Sequence, residues 1–149
     1  AGSTTIGFSG VANGAKISSV GESGVTIAAS DAEWTGVTTY GNPAPFIQFY
    51  AEANTTVTGT INVTAGGAPF TFFSVDVYSS TTKIPYVLTG RRNGVVVFTT
   101  SAEQGNTFGG FRQVLNPNAI VPIDALTISL TNPAAIRNPV GLDNIVIVK

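Results

Sequence analysis

The side chains able to do chemistry in this chain are carboxylates, a few arginines and aromatic rings. Eight acids are present, and there is no histidine, cysteine or methionine. Without a thiol there is no nucleophilic cysteine, disulfide or thiolate metal site. Without imidazole, the commonest general base at neutral pH and the usual zinc and copper ligand are both missing. A Ser-His-Asp hydrolase, a zinc hydrolase and a copper oxygenase are therefore excluded. Carboxylate catalysis and oxygen-ligated cations remain. A glycosidase needs two carboxylates facing each other across roughly 5–10 Å. No such pair declares itself among Glu22, Asp31, Glu33, Glu52, Asp76, Glu103, Asp124 and Asp143. Asp31 and Glu33 share a parity but fall in a loop, so no catalytic residue is assigned and the chain reads as a non-enzyme.

The rings offer different chemistry, because a sugar stacks its C–H face on an exposed aromatic while polar neighbours read its hydroxyls. The single Trp34 lies in a long polar connection with Tyr40, Asp31 and Glu33 close by. It reads either as a platform or as a plug over the core, since Trp carries a large apolar area. Tyr78 and Tyr86 flank a seven-residue loop and suggest a groove wall. Phe108 and Phe111 bracket Gly109-Gly110, with Arg112 following. One of the two is expected to pack inward and the other to line a groove with Arg112. Arg91 and Arg92 fall at an expected hairpin tip, where they either solvate a turn or grip a carboxylate by paired hydrogen bonds. The remaining phenylalanines, Phe46, Phe49, Phe70, Phe72 and Phe73, read as core. The expected ligand contacts are thus Trp34, Tyr40, Tyr78, Tyr86, Arg92 and Arg112.

These residues must be positioned by strands. The 149 residues suit one domain over 1–149, with 43% hydrophobic and only 10% charged residues. Such a composition belongs to strand-and-turn proteins. A net charge of −1 offers no general attraction to nucleic acid or anionic membrane. No apolar run approaches the length of a membrane span. The opening Ala1-Gly2-Ser3 lacks an initiator Met, which suggests a mature segment with its signal peptide removed, and low charge with many Thr, Ser, Asn and Gly fits an exported bacterial protein. β-type runs recur at Thr4–Ser9, Ala15–Val20, Val25–Ala29, Phe46–Ala51, Thr56–Thr64, Phe70–Tyr78, Tyr86–Gly90, Val95–Thr100, Gly110–Leu115, Ala125–Leu130 and Leu142–Val148. Asp31 to Pro45 reads as a connection ending in a Gly-Asn-Pro-Ala-Pro stop signal. Thr56–Thr64 alternates cleanly, and Asn93-Gly94 between two β runs is the strongest short hairpin signal. The expected fold is all-β: a two-sheet antiparallel β-sandwich of the jelly-roll type, with a closed barrel as the competitor.

Five segments in order, Thr5–Val11, Pro69–Val77, Leu88–Val97, Ile123–Ile128 and Gly141–Ile147, carry a family resemblance. Together they resemble the β-sandwich domains of exported bacterial proteins, often those with PEP-CTERM sorting tails, which are similar to jelly-roll carbohydrate-binding modules. The resemblance implies a secreted or cell-surface, non-catalytic module that binds a glycan or polysaccharide. It also implies a structural Ca²⁺ near Asp143, where first and last strands meet, with Ser9 or nearby carbonyls as partners. Ser9 stands where that family often has Asp. The alternative is a structural or adhesive surface domain that contacts other proteins.

Overall fold

A computed structural model describes residues 2–41 and 43–149. Ala1 and Asn42, the latter inside the expected stop signal, lie outside the described residues. The described residues form twelve strands: β1 (Ser3–Ile6), β2 (Ser19–Glu22), β3 (Val25–Ser30), β4 (Thr35–Val37), β5 (Phe46–Ala51), β6 (Thr55–Thr64), β7 (Thr71–Ser79), β8 (Ile84–Arg92), β9 (Val95–Gln104), β10 (Phe111–Leu115), β11 (Ala125–Ala134) and β12 (Asn138–Val148). Every pairing is antiparallel. One sheet runs β10-β7-β12-β5-β4, with β1 also paired to β12; the other runs β2-β3-β6-β11-β8-β9. Both sheets end in open edges, so the architecture is the expected sandwich and not a barrel.

The alternation that marked Thr56–Thr64 holds in β6: Ile61 and Val63 point into the core, and Asn62 points out. Across the interface, Leu88, Leu126 and Ile128 of the second sheet meet Phe72, Val75, Ile47 and Leu142 of the first. The β8–β9 hairpin turns at Asn93 and Gly94, whose φ values of 52° and 79° are the left-handed pair a tight two-residue turn requires. Two strands depart from expectation. Ala15–Val20 contributes only the start of β2, and Lys16 makes one isolated bridge to Thr35. That Thr35 belongs to β4, a short edge strand inside what read as an uninterrupted connection.

β12 begins four residues earlier than its apolar run and pairs with three strands. Asn138–Leu142 lie against β5, Ile145–Val148 lie against β1, and β7 runs along the other flank. Asp143-Asn144 therefore sits inside the strand and not at its entrance. There the register with β7 shifts, and Asn144 takes φ 49°. The extra residue flips the side-chain parity. Leu142 faces the core before the bulge, and Ile145 and Ile147 face it after. A matching irregularity at Phe73 lets Phe72 and then Val75 and Val77 face inward along β7.

The single tryptophan shows how tightly the interior is filled. A Cβ on Gly59 of β6 would lie 2.6 Å from Trp34 Cζ2 and 2.7 Å from Phe49 Cε1. Gly59→Ala is therefore expected to destabilise the fold by about 1–3 kcal/mol through overpacking. Urea unfolding followed by Trp34 fluorescence measures this, and an unchanged midpoint would show that the two rings can give way.

Candidate functional site

Side chains on the outer face of the first sheet build an aromatic cluster. Phe111 of β10 stands opposite Tyr78 of β7, and Tyr78 stands opposite Gly141 of β12. Gly141 has no side chain, and the Phe46 ring of β5 fills the space: a Cβ there would meet Phe46 Cε2 at 2.8 Å. Ring centroids separate Phe46 from Tyr78 by 5.2 Å, Phe46 from Phe111 by 5.1 Å, and Tyr78 from Phe111 by 5.1 Å. Tyr40 arrives from the β4–β5 connection and lies 5.9 Å from Tyr78 and 6.1 Å from Phe111. Its hydroxyl donates to the Gly109 carbonyl. Phe46 is 1% exposed yet lies outside the core between the sheets, whereas Tyr40 is 49% exposed. The buried ring is the floor and the tyrosines with Phe111 form the surface.

Polar residues continue the same face. Asp76 of β7 sits between Gln113 of β10 and Asp143 of β12, and Gln48 of β5 stands opposite Gly141. Gln113 Nε2 donates to Ser74 Oγ at 3.3 Å. Asn144 Nδ2 donates to Asp76 Oδ2 at 2.9 Å, and its N–H donates to Asp143 Oδ1 at 2.8 Å. An apolar platform thus borders hydrogen-bonding groups of both kinds, the pairing that a sugar's C–H face and hydroxyls require. Burial pushes the Tyr78 phenol above its ordinary value, with the neighbouring phenols of Tyr40 and Tyr50 adding to it.

Of the six expected ligand contacts, only Tyr40 and Tyr78 come together. Trp34 is not a platform: it is 1% exposed, packs edge-on against Phe49 at 4.7 Å, and donates its indole N–H to the Ser30 carbonyl at 3.1 Å. The preference of a large ring for burial decided between its two readings. Tyr86 faces the core from β8, in the opposite sheet from Tyr78, so the two do not wall one groove. Arg92 is also in the second sheet, with Nε 4.0 Å from Asp124 Oδ2. Arg112 pairs with the core residue Val77 and so points to the face opposite Phe111, out at the sheet edge. Phe111 and Phe46 complete the cluster. Neither Phe108 nor Phe111 packs inward as expected of one of them: Phe111 joins this outer cluster without Arg112, Phe108 is exposed, and Phe46, which read as ordinary core, is the floor. The cross-strand rows that unite them join segments far apart in the chain, a relation that local patterns do not carry.

A concavity of about 650 Å³ lies away from these rings, lined by Lys16, Glu33, Tyr50, Glu52, Thr55 and Arg137 among others. Both of its acids are held in ion pairs, Lys16–Glu33 and Arg137–Glu52, each at 2.9 Å. Arg137 also covers the Tyr50 ring at 3.8 Å.

The meeting of first and last strands is as expected, with Ile6 opposite Ile145. Asp143 is fully buried there, but the Ser9 N–H donates to Glu22 Oε1 at 3.1 Å. Among the described residues no group of three or more acids gathers. Asp143 Oδ1 accepts the Asn144 N–H and Asp76 Oδ2 accepts the Asn144 side-chain amide, so both of these oxygens are engaged within the protein.

No protein-family model matches this chain, and no curated protein matches it in sequence. Solved structures match in shape. CBM29_1, a family 29 carbohydrate-binding module from Piromyces equi, superposes with a TM-score of 0.58 at 11% identity, over 99% of this chain and 91% of its own. A CBM29-2 mutant complexed with mannohexaose gives 0.57 at 11% identity, over 97% and 89%. The chain is similar in fold to family 29 carbohydrate-binding modules. At these identities the likeness shows the fold. It bears out the jelly-roll sandwich and carries nothing of a sorting tail or bacterial export.

The folded state holds the Tyr78 proton to higher pH than the unfolded chain does. Its contribution to stability is therefore complete below the ordinary phenol value of about 10 and is lost as pH rises beyond it. Thermal melts from pH 9 to 11 should show a shallower alkaline decline in Tyr78→Phe than in the parent chain; parallel declines would contradict the assignment. A thermal melt with added calcium or chelator tests the calcium implied at Asp143, and an unmoved transition would remove it. An upward shift in calcium would place a metal there.

Proposed function

We propose that this chain is a non-catalytic module that binds a glycan chain on the outer face of its first sheet. The observation that carries this reading is the Tyr40–Tyr78–Phe111 surface on its Phe46 floor, bordered by Asp76 and Gln113 in the adjoining row and by Gln48 farther along the rings' own row. In this reading the rings stack on sugar faces and the polar row accepts and donates to hydroxyls. Affinity is modest, because an open face of three rings and a few hydrogen bonds must offset the freedom that the bound chain loses. The rings stand pre-packed against one another, so little side-chain entropy is lost on binding. Family 29 neighbours of the same fold are carbohydrate-binding modules, and one was solved with mannohexaose. That agreement supports the assignment of ligand class. The low charge and the resemblance to exported domains support a place on a secreted or surface protein of bacterial type.

Native gels cast with soluble glucomannan, galactomannan, mixed-linkage β-glucan or xylan test the reading. Retardation by at least one polysaccharide is expected. Tyr40→Ala should weaken it about five- to tenfold, the equivalent of one lost ring, while Arg92→Ala in the other sheet should migrate like the parent. Unretarded migration in every gel, with self-association that rises with concentration, would favour the adhesive alternative instead.

A further inference from the structure

Phe108 is the most exposed ring among the described residues, at 81%, and its backbone lies in the left-handed region with φ 52°. A large apolar side chain gains nothing from such exposure, and a non-glycine residue pays conformational strain to stay there. The surroundings nevertheless hold it firmly. Its N–H donates to Asn106 Oδ1 at 2.8 Å, the Gly109 N–H donates to the Ser79 carbonyl at 2.8 Å, and the Gly110 N–H donates to the Thr107 carbonyl at 3.0 Å. Thr107 is buried; its hydroxyl accepts the Ser79 N–H and donates to the Ser79 carbonyl, both at 2.7 Å.

That anchor reaches further into the fold. Ser79 Oγ accepts from Asn138 Nδ2 at 3.4 Å, and the same amide group donates to Asn132 Oδ1 at 2.9 Å and Thr82 Oγ1 at 3.0 Å. Asn138 and Asn132 are both fully buried. A satisfied buried amide network of this kind is rigid. The next residue after Phe108, Gly109, accepts the Tyr40 hydroxyl. One side of the turn is thus tied to the sandwich interior and the other to the aromatic cluster, while the Phe108 ring projects into solvent between them.

We propose that Phe108 is a fixed stacking surface that extends the glycan-binding face by one sugar position beyond Tyr40. This rests on the glycan reading above and adds a length preference to it. A short oligosaccharide that fills the Tyr40–Tyr78–Phe111 surface ends before Phe108, whereas a polymer chain continues across it. The partner is a saccharide chain, since Gly109 of the same turn accepts the Tyr40 hydroxyl and so sets the exposed Phe108 ring beside the ring surface of the glycan reading.

The probes are the polysaccharide that most retards the parent chain in the gels above and the trisaccharide of the same backbone. Both are titrated calorimetrically into the parent, Phe108→Ala and Phe108→Trp. Phe108→Ala should bind the polymer about five- to tenfold more weakly, as for one lost ring, and bind the trisaccharide as the parent does. Phe108→Trp should restore polymer binding, and all three should melt together. Parent-like polymer binding by Phe108→Ala, with Tyr40→Ala impaired, overturns the role of Phe108 and leaves the glycan reading standing. Equal losses on polymer and trisaccharide overturn the length preference. A parent chain that binds none of the four polysaccharides overturns both.

Discussion

The structure depends on one parity switch in the last strand. β12 is central in its sheet and must be apolar toward the core along its length, yet it trades β5 for β1 as its neighbour halfway. The bulge at Asp143-Asn144 makes that exchange possible by inserting a residue, so that Leu142 and Ile145 can both face inward. Asn tolerates the left-handed conformation better than most residues. Here its amide also bonds Asp76 across the strand pair, and its N–H bonds Asp143. A carboxylate buried in a sheet is costly unless hydrogen-bonded, and the bulge supplies such bonds. Asp143, the acid that the resemblance implies as a calcium ligand, thus has a structural use in the strand.

The same strand lays the foundation of the aromatic face. Gly141, two residues before the bulge, leaves the outer face bare, and the Phe46 ring occupies that space. Phe46 in turn supports Tyr78, Phe111 and Tyr40. Rings on a solvent-facing sheet surface would ordinarily be scattered and mobile. Here mutual packing around one buried member gives them a common surface, and the hydroxyl of Tyr40 fixes its reach through Gly109. The core on one side of β12 and the candidate site on the other are consequences of a single pattern of alternation.

Strand content was largely legible because alternation and turn residues are local. The clean period of Thr56–Thr64, the Asn93-Gly94 hairpin and the apolar runs of β7 and β12 all report backbone geometry within a few residues. β4 escaped because three residues are too few to show a period, and its pairing with β5 supplies its order. The candidate site was legible only in part. Tyr40 and Tyr78 stood out as rings in polar settings, and Trp34 stood out for the same reason although it is buried. Whether a ring in a connection covers the core or faces water depends on where that connection crosses the sandwich. Phe46 begins a strand like any core phenylalanine; its outward direction follows from its parity relative to Ile47 and Phe49, both in the core.

Composition and periodicity alone determined an all-β chain without thiol or imidazole chemistry, built on alternating strands and one tight hairpin. Those properties need only residue types and near neighbours. The tertiary structure decided which rings share a face, because cross-strand register unites residues from β5, β7, β10 and β12 that are remote in sequence. It also decided that Tyr86 and Arg92 lie in the other sheet, and that Asp143 lies within a strand. Burial is a property of the whole packed object, and no local pattern can fix it for a ring or a carboxylate that is equally at home on either side.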